Sequence, residues 1–182
     1  MKELALHILD IVQNSIVAEA QSIRLTINES MKEDRLSIII TDDGTGMDES
    51  MLKKVADPFV TSRTTRKVGL GIPLLKQAAE ECDGSLRIES QLKKGTTIEA
   101  NFRHSHIDRV PLGDMPETVC TILLYGKDFD FVYEHLTDHG HMKFDTAEIR
   151  QVLQDTPLTH PDVIVWIREN LSEELQSIQS RA

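Results

Sequence analysis

The chain is poor in aromatic residues, in cysteine and in long apolar segments. Phe, Trp and Tyr make up 4% of its 182 residues, and the two cysteines, Cys82 and Cys120, form neither a disulfide framework nor a metal-binding motif. No apolar run reaches the roughly eighteen residues of a transmembrane helix, which argues against a membrane span. The first residues lack the three-part layout of a secretory signal. These absences predict a cytoplasmic protein with reduced, buried cysteines.

Negative charge is concentrated in the second part of the chain. Residues 1–103 hold 14 Lys and Arg against 16 Asp and Glu, a net charge of −2, whereas residues 104–182 hold 6 against 14, a net charge of −8. An acidic region repels phosphates, which argues against nucleic-acid binding. It is compatible with a basic protein partner, and solubility alone explains the acidity equally well.

The hydrophobic pattern of residues 1–103 predicts an α+β domain. The expected elements are a largely buried helix from Met1 to about Ala20, strands at 23–27 and 35–41, a short helix at 48–56, a polar loop at 60–68, a helix from Pro73 to Cys82 capped by Gly84, and strands at 85–90 and 96–103. This order predicts a two-layer α/β sandwich, with helices on one face of a mixed sheet.

The composition of the sequence changes after Arg103. Residues 104–117 are polar and contain prolines, which predicts a linker, and residues 118–182 read as a small acidic α+β domain of unknown role. In that domain we expect a strand at 118–125, a hairpin formed by 128–135 and 141–145, a helix that opens at the capping box Asp145-x-x-Glu148, and a last helix through about Ile178.

The segment Asp42-Asp43-Gly44-Thr45-Gly46-Met47 carries the strongest functional signal. Asp42 ends a predicted buried strand, so its carboxylate is held at the sheet edge, where it can accept a hydrogen bond from the amino group of adenine. Gly44 and Gly46 allow a flat ring to approach the backbone, and Met47 can cover one face of that ring. Ordinary turn chemistry gives the same pattern, so the loop alone leaves both interpretations open.

The first helix carries a polar edge on an otherwise apolar surface. His7, Asp10 and Asn14 are spaced three and four residues apart and therefore share one side of the helix. A functional interpretation gives the amide oxygen of Asn14 to Mg²⁺ and makes Asp10 the base that positions a nucleophile. The alternative is a helix edge that simply faces solvent.

A basic, hydroxyl-rich segment precedes a second glycine motif. Residues 61–67 contain three cations and four hydroxyls, and Gly69-Leu70-Gly71 then opens a helix whose free N–H groups attract anions. The cations can offset the charge of a triphosphate. Any exposed basic loop has this composition, but its position before a helix N-terminus favours phosphate binding.

These motifs together resemble the GHKL ATPase superfamily, which includes type II topoisomerases, MutL-type repair proteins, heat-shock chaperones and sensor histidine kinases. Asp10-Ile11-Val12-Gln13-Asn14 resembles its N box, Asp42 to Gly46 its G1 box and Gly69 to Gly71 its G2 box, while residues 57–63 resemble the F box of the histidine-kinase branch. The resemblance covers residues 1 to about 103. It implies the Bergerat fold with Mg·ATP bound beneath a lid, and it implies that Thr96 supports adenine through water.

The resemblance extends the nucleotide-binding prediction to a defined set of residues. The set is Asn14, Asp42, Gly44, Gly46, Met47, Phe59, Thr61, Ser62, Arg63, Arg66, Lys67, Gly69, Leu70, Gly71 and Thr96, with Asn14 also holding the metal and Asp10 as the catalytic candidate. Hydrolysing family members carry Glu where this chain has Asp10, whose side chain is one methylene shorter. Such a displacement is costly to turnover.

The predicted function is that of a stand-alone, cytoplasmic ATP-binding protein of the histidine-kinase-like type. No phosphoacceptor helix precedes Asp10 in the sequence, so we expect regulatory ATPase or kinase activity on a separate, unidentified protein partner. The alternatives are a non-catalytic nucleotide-binding module and a serine kinase resembling the anti-sigma factors. The pairs His104-x-His106 and His139-x-His141 could hold a metal, but no third ligand is evident and surface histidines explain them better.

Overall fold

The computed structural model describes residues 2–55, 71–125 and 128–182. In these ranges the elements are, in chain order, α1 (Leu4–Val17), β1 (Ser22–Ser30), β2 (Arg35–Asp42), α2 (Glu49–Val55), α3 (Gly71–Glu81), β3 (Ser85–Gln91), β4 (Gly95–Arg103), α4 (Met115–Leu123), β5 (Asp130–Thr137), β6 (Gly140–Asp145), α5 (Thr146–Leu153) and α6 (Pro161–Ser177). No helix among these residues is long and apolar enough to cross a membrane.

The strands form one mixed sheet in the order β3-β4-β2-β1-β5-β6. Only the β1–β5 pair is parallel, and each of the other pairs is antiparallel. Alternate residues of the central strands are buried, as Ile23, Leu25 and Ile27 are on β1, because the helices cover one face of the sheet. The predicted α+β sandwich with helices on a mixed sheet is therefore confirmed.

The strands and the later hairpin lie close to their predicted positions. The turn between β3 and β4 places Lys93 and Gly95 at positive φ, and the hairpin of β5 and β6 turns at residues 138–139. The C-terminal cap of α3 differs in one detail, since the left-handed residue is Asp83 (φ 54°). Gly84 instead donates its N–H to the carbonyl of Ala79 at 2.9 Å and packs too closely on Asn101 to accept a side chain.

The predicted strand at residues 118–125 is wrong, because this segment forms most of helix α4. Asp114 caps the helix by accepting the Glu117 N–H at 2.8 Å, and Pro116 occupies its first turn. The β-branched residues that suggested a strand are accommodated in the helix. Thr118 and Thr121 donate their hydroxyls to carbonyls four residues earlier, at 2.6 and 2.9 Å.

The segment at 104–117 packs against the start of α1. The N–H groups of Leu4 and Ala5 donate to the carbonyls of Pro111 and Leu112 at 3.0 and 2.8 Å, which satisfies two of the free donors at the helix N-terminus. The predicted linker ends within the first turn of α4, and the sheet is continuous across it. The assignment of residues 118–182 to a separate functional domain stays a prediction.

One carboxylate is buried in the core at the far end of β1. Glu29 is 2% exposed and accepts hydrogen bonds from the rings of His104 and His135, from the Ser180 hydroxyl and from the Arg181 N–H. Burial alone would raise the pKa of Glu29, but the bonds from His135, Arg181 and Ser180 outweigh it and lower that pKa to about 2. Glu29 thus ties β1 to β5 and to the chain after α6.

Candidate functional site

Helix α1 brings the first polar residues to the site. On its buried apolar side Ile8, Ile11 and Val12 are each at most 1% exposed. Asp10 and Asn14 are half-buried on the edge of this helix, one turn apart. The buried side holds α1 in place, so these two side chains have fixed positions above the end of β2.

Asp42 is held by two hydrogen bonds, one to each carboxylate oxygen. Its Oδ2 accepts from Ser15 Oγ at 2.6 Å, and its Oδ1 accepts from the Gly44 N–H at 2.9 Å. Ser15 is 3% exposed and lies on α1 beside Asn14. The carboxylate therefore has a defined orientation and retains lone pairs that can accept from a ligand.

The glycines of the loop after β2 are required by close backbone approach. Gly46 has φ 65°, and a Cβ there would lie 2.1 Å from the carbonyl oxygen of Gln91. At Gly44 a Cβ would lie 2.8 Å from the carbonyl oxygen of Ala18. The loop can therefore sit tightly between α1 and the β3–β4 turn only with glycine at both positions.

Ser90 links this loop to Thr96. Its Oγ accepts the Met47 N–H at 2.8 Å, lies 2.9 Å from Thr96 Oγ1 and donates to the Gly95 carbonyl at 3.0 Å. Sequence analysis did not select Ser90 or Ser15. The pairing of Ser90 with Thr96 across the hairpin is a register signal that could have identified Ser90.

These residues surround one cavity of about 400 Å³. Five of the predicted nucleotide-binding residues line it, and its remaining walls are mostly apolar; the predicted five are Asn14, Asp42, Gly46, Met47 and Thr96. Ser15, Ile11 and Ile98 form part of its floor. This largely apolar slot, with a fixed carboxylate in its wall, suits a heteroaromatic ring that carries an amino donor.

Asp10 lies outside the lining of this cavity, next to the N-terminus of α3. A Cβ on Gly71, the first residue of α3, would be 2.8 Å from the Cβ of Asp10. The glycine therefore lets the two helices meet at the point where the free N–H groups of α3 begin. The adjacent Ile72 does line the cavity, so an anion at this helix start and a ring in the cavity would be neighbours.

Eight of the predicted nucleotide-binding residues fall outside the described ranges. They are Phe59, Thr61, Ser62, Arg63, Arg66, Lys67, Gly69 and Leu70. The predicted basic loop at 60–68 lies outside them as well. These assignments stay predictions.

The charge of Asp10 acts on the pKa of two titratable groups, His7 and Tyr125. Burial, together with the charge of the chain N-terminus, lowers the pKa of His7, and this outweighs the opposite effects of Asp10 and the Gly71 backbone. Burial also raises the pKa of Tyr125, at the end of α4, and the charge of Asp10 raises it further. Helix α4, which precedes Tyr125, packs against α1.

Among the described residues, no cluster of three or more His, Cys, Asp or Glu has the geometry of a metal centre. Asn14 offers a single amide oxygen, so a divalent ion there would need its other ligands from water and from phosphate oxygens. That coordination is typical of Mg²⁺ bound with a nucleotide. His104 and His135 contact Glu29, and His106 lies near Asp83.

A helix-on-sheet fold with a carboxylate-anchored slot beside a helix N-terminus defines a nucleotide-binding protein. The family model described as "Histidine kinase-, DNA gyrase B-, and HSP90-like ATPase" matches residues 2–106, and the chain belongs to this family. The protein is therefore an ATP-binding, histidine-kinase-like ATPase-domain protein. This confirms the resemblance to the GHKL superfamily.

The similar proteins include bacterial kinases. Sporulation kinase C of Bacillus subtilis is 31% identical over 91 residues, which is 50% of this chain and 21% of that protein. The putative sensor histidine kinase NtrY-like of Rickettsia conorii is 28% identical over 109 residues, 59% of this chain and 18% of that protein. The chain thus spans about a fifth of the length of these relatives.

The fold also resembles a solved structure. The crystal structure of the N terminal domain of a DNA repair protein superposes with a TM-score of 0.53 at 17% sequence identity, over 80% of this chain and 52% of that one. The shared region is longer than the family match, so some of the chain after residue 106 follows the same fold. At this identity the likeness concerns the fold alone.

Proposed function

We propose that the protein binds Mg·ATP in the cavity between α1, β2 and β4 and acts on a separate protein as a regulatory ATPase or protein kinase. The observation that carries the proposal is the Asp42 carboxylate, fixed by Ser15 and by the Gly44 N–H in the wall of an apolar slot. A fixed carboxylate accepts a hydrogen bond from the amino group of adenine. Guanine lacks an amino group at that ring position.

In this proposal the phosphates extend from the slot towards Gly71. The N–H groups at the start of α3 favour negative charge, and Arg63, Arg66 and Lys67 add cations from the preceding loop. Asn14 gives its amide oxygen to Mg²⁺, which also binds phosphate oxygens and water. Asp10, beside Gly71, accepts the proton of the attacking water or hydroxyl.

The kind of partner is inferred from the charge and the position of residues 104–182. Residues 104–182 carry a net charge of −8, and their helix α4 packs against α1, the helix that carries Asp10 and Asn14. Nucleotide binding at Asp10 and α3 could therefore change the surface that this half presents to a basic protein in the cytoplasm.

The second candidate is a non-catalytic module in which ATP or ADP is a sensory ligand. It is favoured by the aspartate at position 10, because the shorter side chain places its carboxylate farther from the phosphates than glutamate would. Binding is the same in both candidates, and only turnover separates them.

Calorimetry with Mg·ATP tests the site, and phosphate release tests catalysis. Asp42→Asn and Asn14→Ala should each abolish or strongly weaken binding, whereas Asp43→Asn should leave it unchanged, because Asp43 accepts from the Gln21 and Ser22 N–H groups outside the cavity. Unchanged binding in both site variants would show that the site is assigned wrongly.

Equal phosphate release by the parent and Asp10→Asn would favour the module.

A further inference from the structure

Strand β3 forms one edge of the sheet. In the part of the chain that the structure describes, it pairs with β4 and has no strand on its other side. An edge strand of seven residues leaves a row of N–H and C=O groups on that side that can pair with another strand. The question is which strand fits it.

The sequence of β3 is self-complementary about its centre. Arg87, Ile88 and Glu89 are its three middle residues, and Arg87 and Glu89 form an ion pair with each other. Their side chains are 73% and 60% exposed, so they stand on the open face of the sheet. Leu86 and Ile88 point to the opposite face and pack against the edge of the hydrophobic core.

We propose that β3 pairs antiparallel with β3 of a second copy of this chain, with the two Ile88 residues opposite each other. In this register Arg87 faces Glu89 of the partner subunit, and Glu89 faces Arg87 of the partner subunit. The two-fold axis is perpendicular to the sheet, so the helices of both copies stay on the same side. The sheets of the two copies then form one continuous sheet, and the two half-buried Ile88 side chains bury each other further from solvent.

The charges of Arg87 and Glu89 also favour this register over those shifted by two residues in either direction. A slip of two residues in one direction places Arg87 opposite Arg87 of the partner subunit, and a slip in the other direction places the two Glu89 residues opposite each other. Like charges directly opposite are destabilising. A slip of one residue turns the side chains of one strand to the wrong face. The proposed register alone gives two attractive pairs.

The inference goes beyond the proposed function and does not depend on nucleotide binding. A single strand pair buries little surface, so the dimer is weak and forms at high protein concentration. It would nevertheless hold Ser90, the residue that links the loop after β2 to Thr96, within a paired strand.

Sedimentation of the full chain over a range of concentrations, without nucleotide, tests the pairing. The parent should move from 20.6 kDa towards twice that mass as concentration rises. Arg87→Glu and Glu89→Arg each turn two attractive pairs into two repulsive ones, so each should raise the dimer dissociation constant about tenfold or more. The double variant R87E/E89R restores complementarity and should dimerise like the parent.

A mixture of the two single variants gives the sharpest test. Each repels itself, but Arg87→Glu complements Glu89→Arg, so the mixture should form a heterodimer that neither variant forms as a homodimer. The matched controls are Arg35→Glu and Glu33→Arg, which break the exposed 2.9 Å ion pair at the start of β2, an interior strand, and should leave dimerisation unchanged.

Two results would overturn the proposal. One is a parent that stays monomeric up to millimolar concentration, which would mean that Arg87 and Glu89 only protect the edge from pairing. The other is a dimer that survives both single reversals and gains nothing from mixing them.

Discussion

Ser15 on α1 and Asp42 at the end of β2 are joined by a hydrogen bond of 2.6 Å between Oγ and Oδ2. They are 27 residues apart in sequence, and the bond crosses from the helix layer to the sheet. Ser15 is buried, so no water replaces it readily as a donor to the carboxylate. The bond therefore sets the angle at which Asp42 faces the cavity.

Replacing Ser15 by Ala should weaken ATP binding, because the Asp42 carboxylate loses the donor that sets its angle in the cavity wall. The loss of one hydrogen bond to a charged group corresponds to about 1.5–3 kcal/mol, or roughly 10- to 100-fold in the dissociation constant. Calorimetry with Mg·ATP measures it. Ser177→Ala, which removes an exposed hydroxyl on α6, is the control. Equal affinities for Ser15→Ala and the parent would mean that Asp42 is oriented by its bond to Gly44 alone.

Replacing Gly71 by Ala should disturb the contact between α3 and α1 at Asp10, the proposed base. The added Cβ would lie 2.8 Å from the Cβ of Asp10, so α3 must move away from α1. We expect slower phosphate release and a loss of about 1–3 kcal/mol in the free energy of unfolding. Gln77→Ala, on the exposed side of α3, should change neither quantity. A Gly71→Ala variant with parental activity and stability would show that the contact between α1 and α3 accommodates an added methyl group.

Glu29 should make the free energy of unfolding depend on acid pH. Its folded-state pKa of about 2 lies below the ordinary value of 4.5. The ionised carboxylate therefore stabilises the fold fully above about pH 4.5. This contribution, about 3 kcal/mol, is lost as the pH falls towards 2.

Urea unfolding of the parent and of Glu29→Gln between pH 7 and pH 3 measures that contribution. The variant should be less stable at pH 7, and the difference should shrink as the pH falls, because the parent loses the charge that the variant never had. Glu33→Gln, at an exposed position, is the control. A gap that stays constant with pH would contradict the assigned ionisation of Glu29.

Thr146→Val should destabilise the second half without altering its shape. Thr146 is fully buried, and its Oγ1 accepts the Phe131 N–H at 2.8 Å. Valine fills the same volume but leaves that N–H unpaired, which costs about 1–3 kcal/mol in the free energy of unfolding. Thr121→Val, whose hydroxyl donates to a carbonyl within α4, should stay within about 0.5 kcal/mol of the parent. Chemical denaturation of the two variants decides between these values.

Local chemistry explains the parts of the site that sequence analysis predicted. Asp42 and Gly46 act through a carboxylate and a positive φ within one short loop, so their spacing is visible in the sequence. The capping box at Asp145 and the proline at position 161 likewise mark helix starts within a few residues. Each of these signals is complete within about one helical turn.

Contacts between distant segments explain what was missed. Ser15 and Ser90 acquire their roles only when α1 lies over β2 and when the β3–β4 hairpin closes in its register. Four of the eight residues at 118–125 are β-branched and favour a strand, whereas the cap at Asp114 favours a helix; the packing of α4 against α6 and α1 decides that conflict.

By itself the sequence determined the order of most strands and helices, the glycine loops and the identity of a nucleotide-binding family, because periodicity, capping and backbone freedom act over short stretches of chain. Only the tertiary structure decided that β5 lies parallel beside β1, that α4 packs against α1, and that Glu29 holds the chain after α6. Pairing between segments about a hundred residues apart leaves no local pattern, since it depends on which buried surfaces remain to be covered once the rest of the chain has folded.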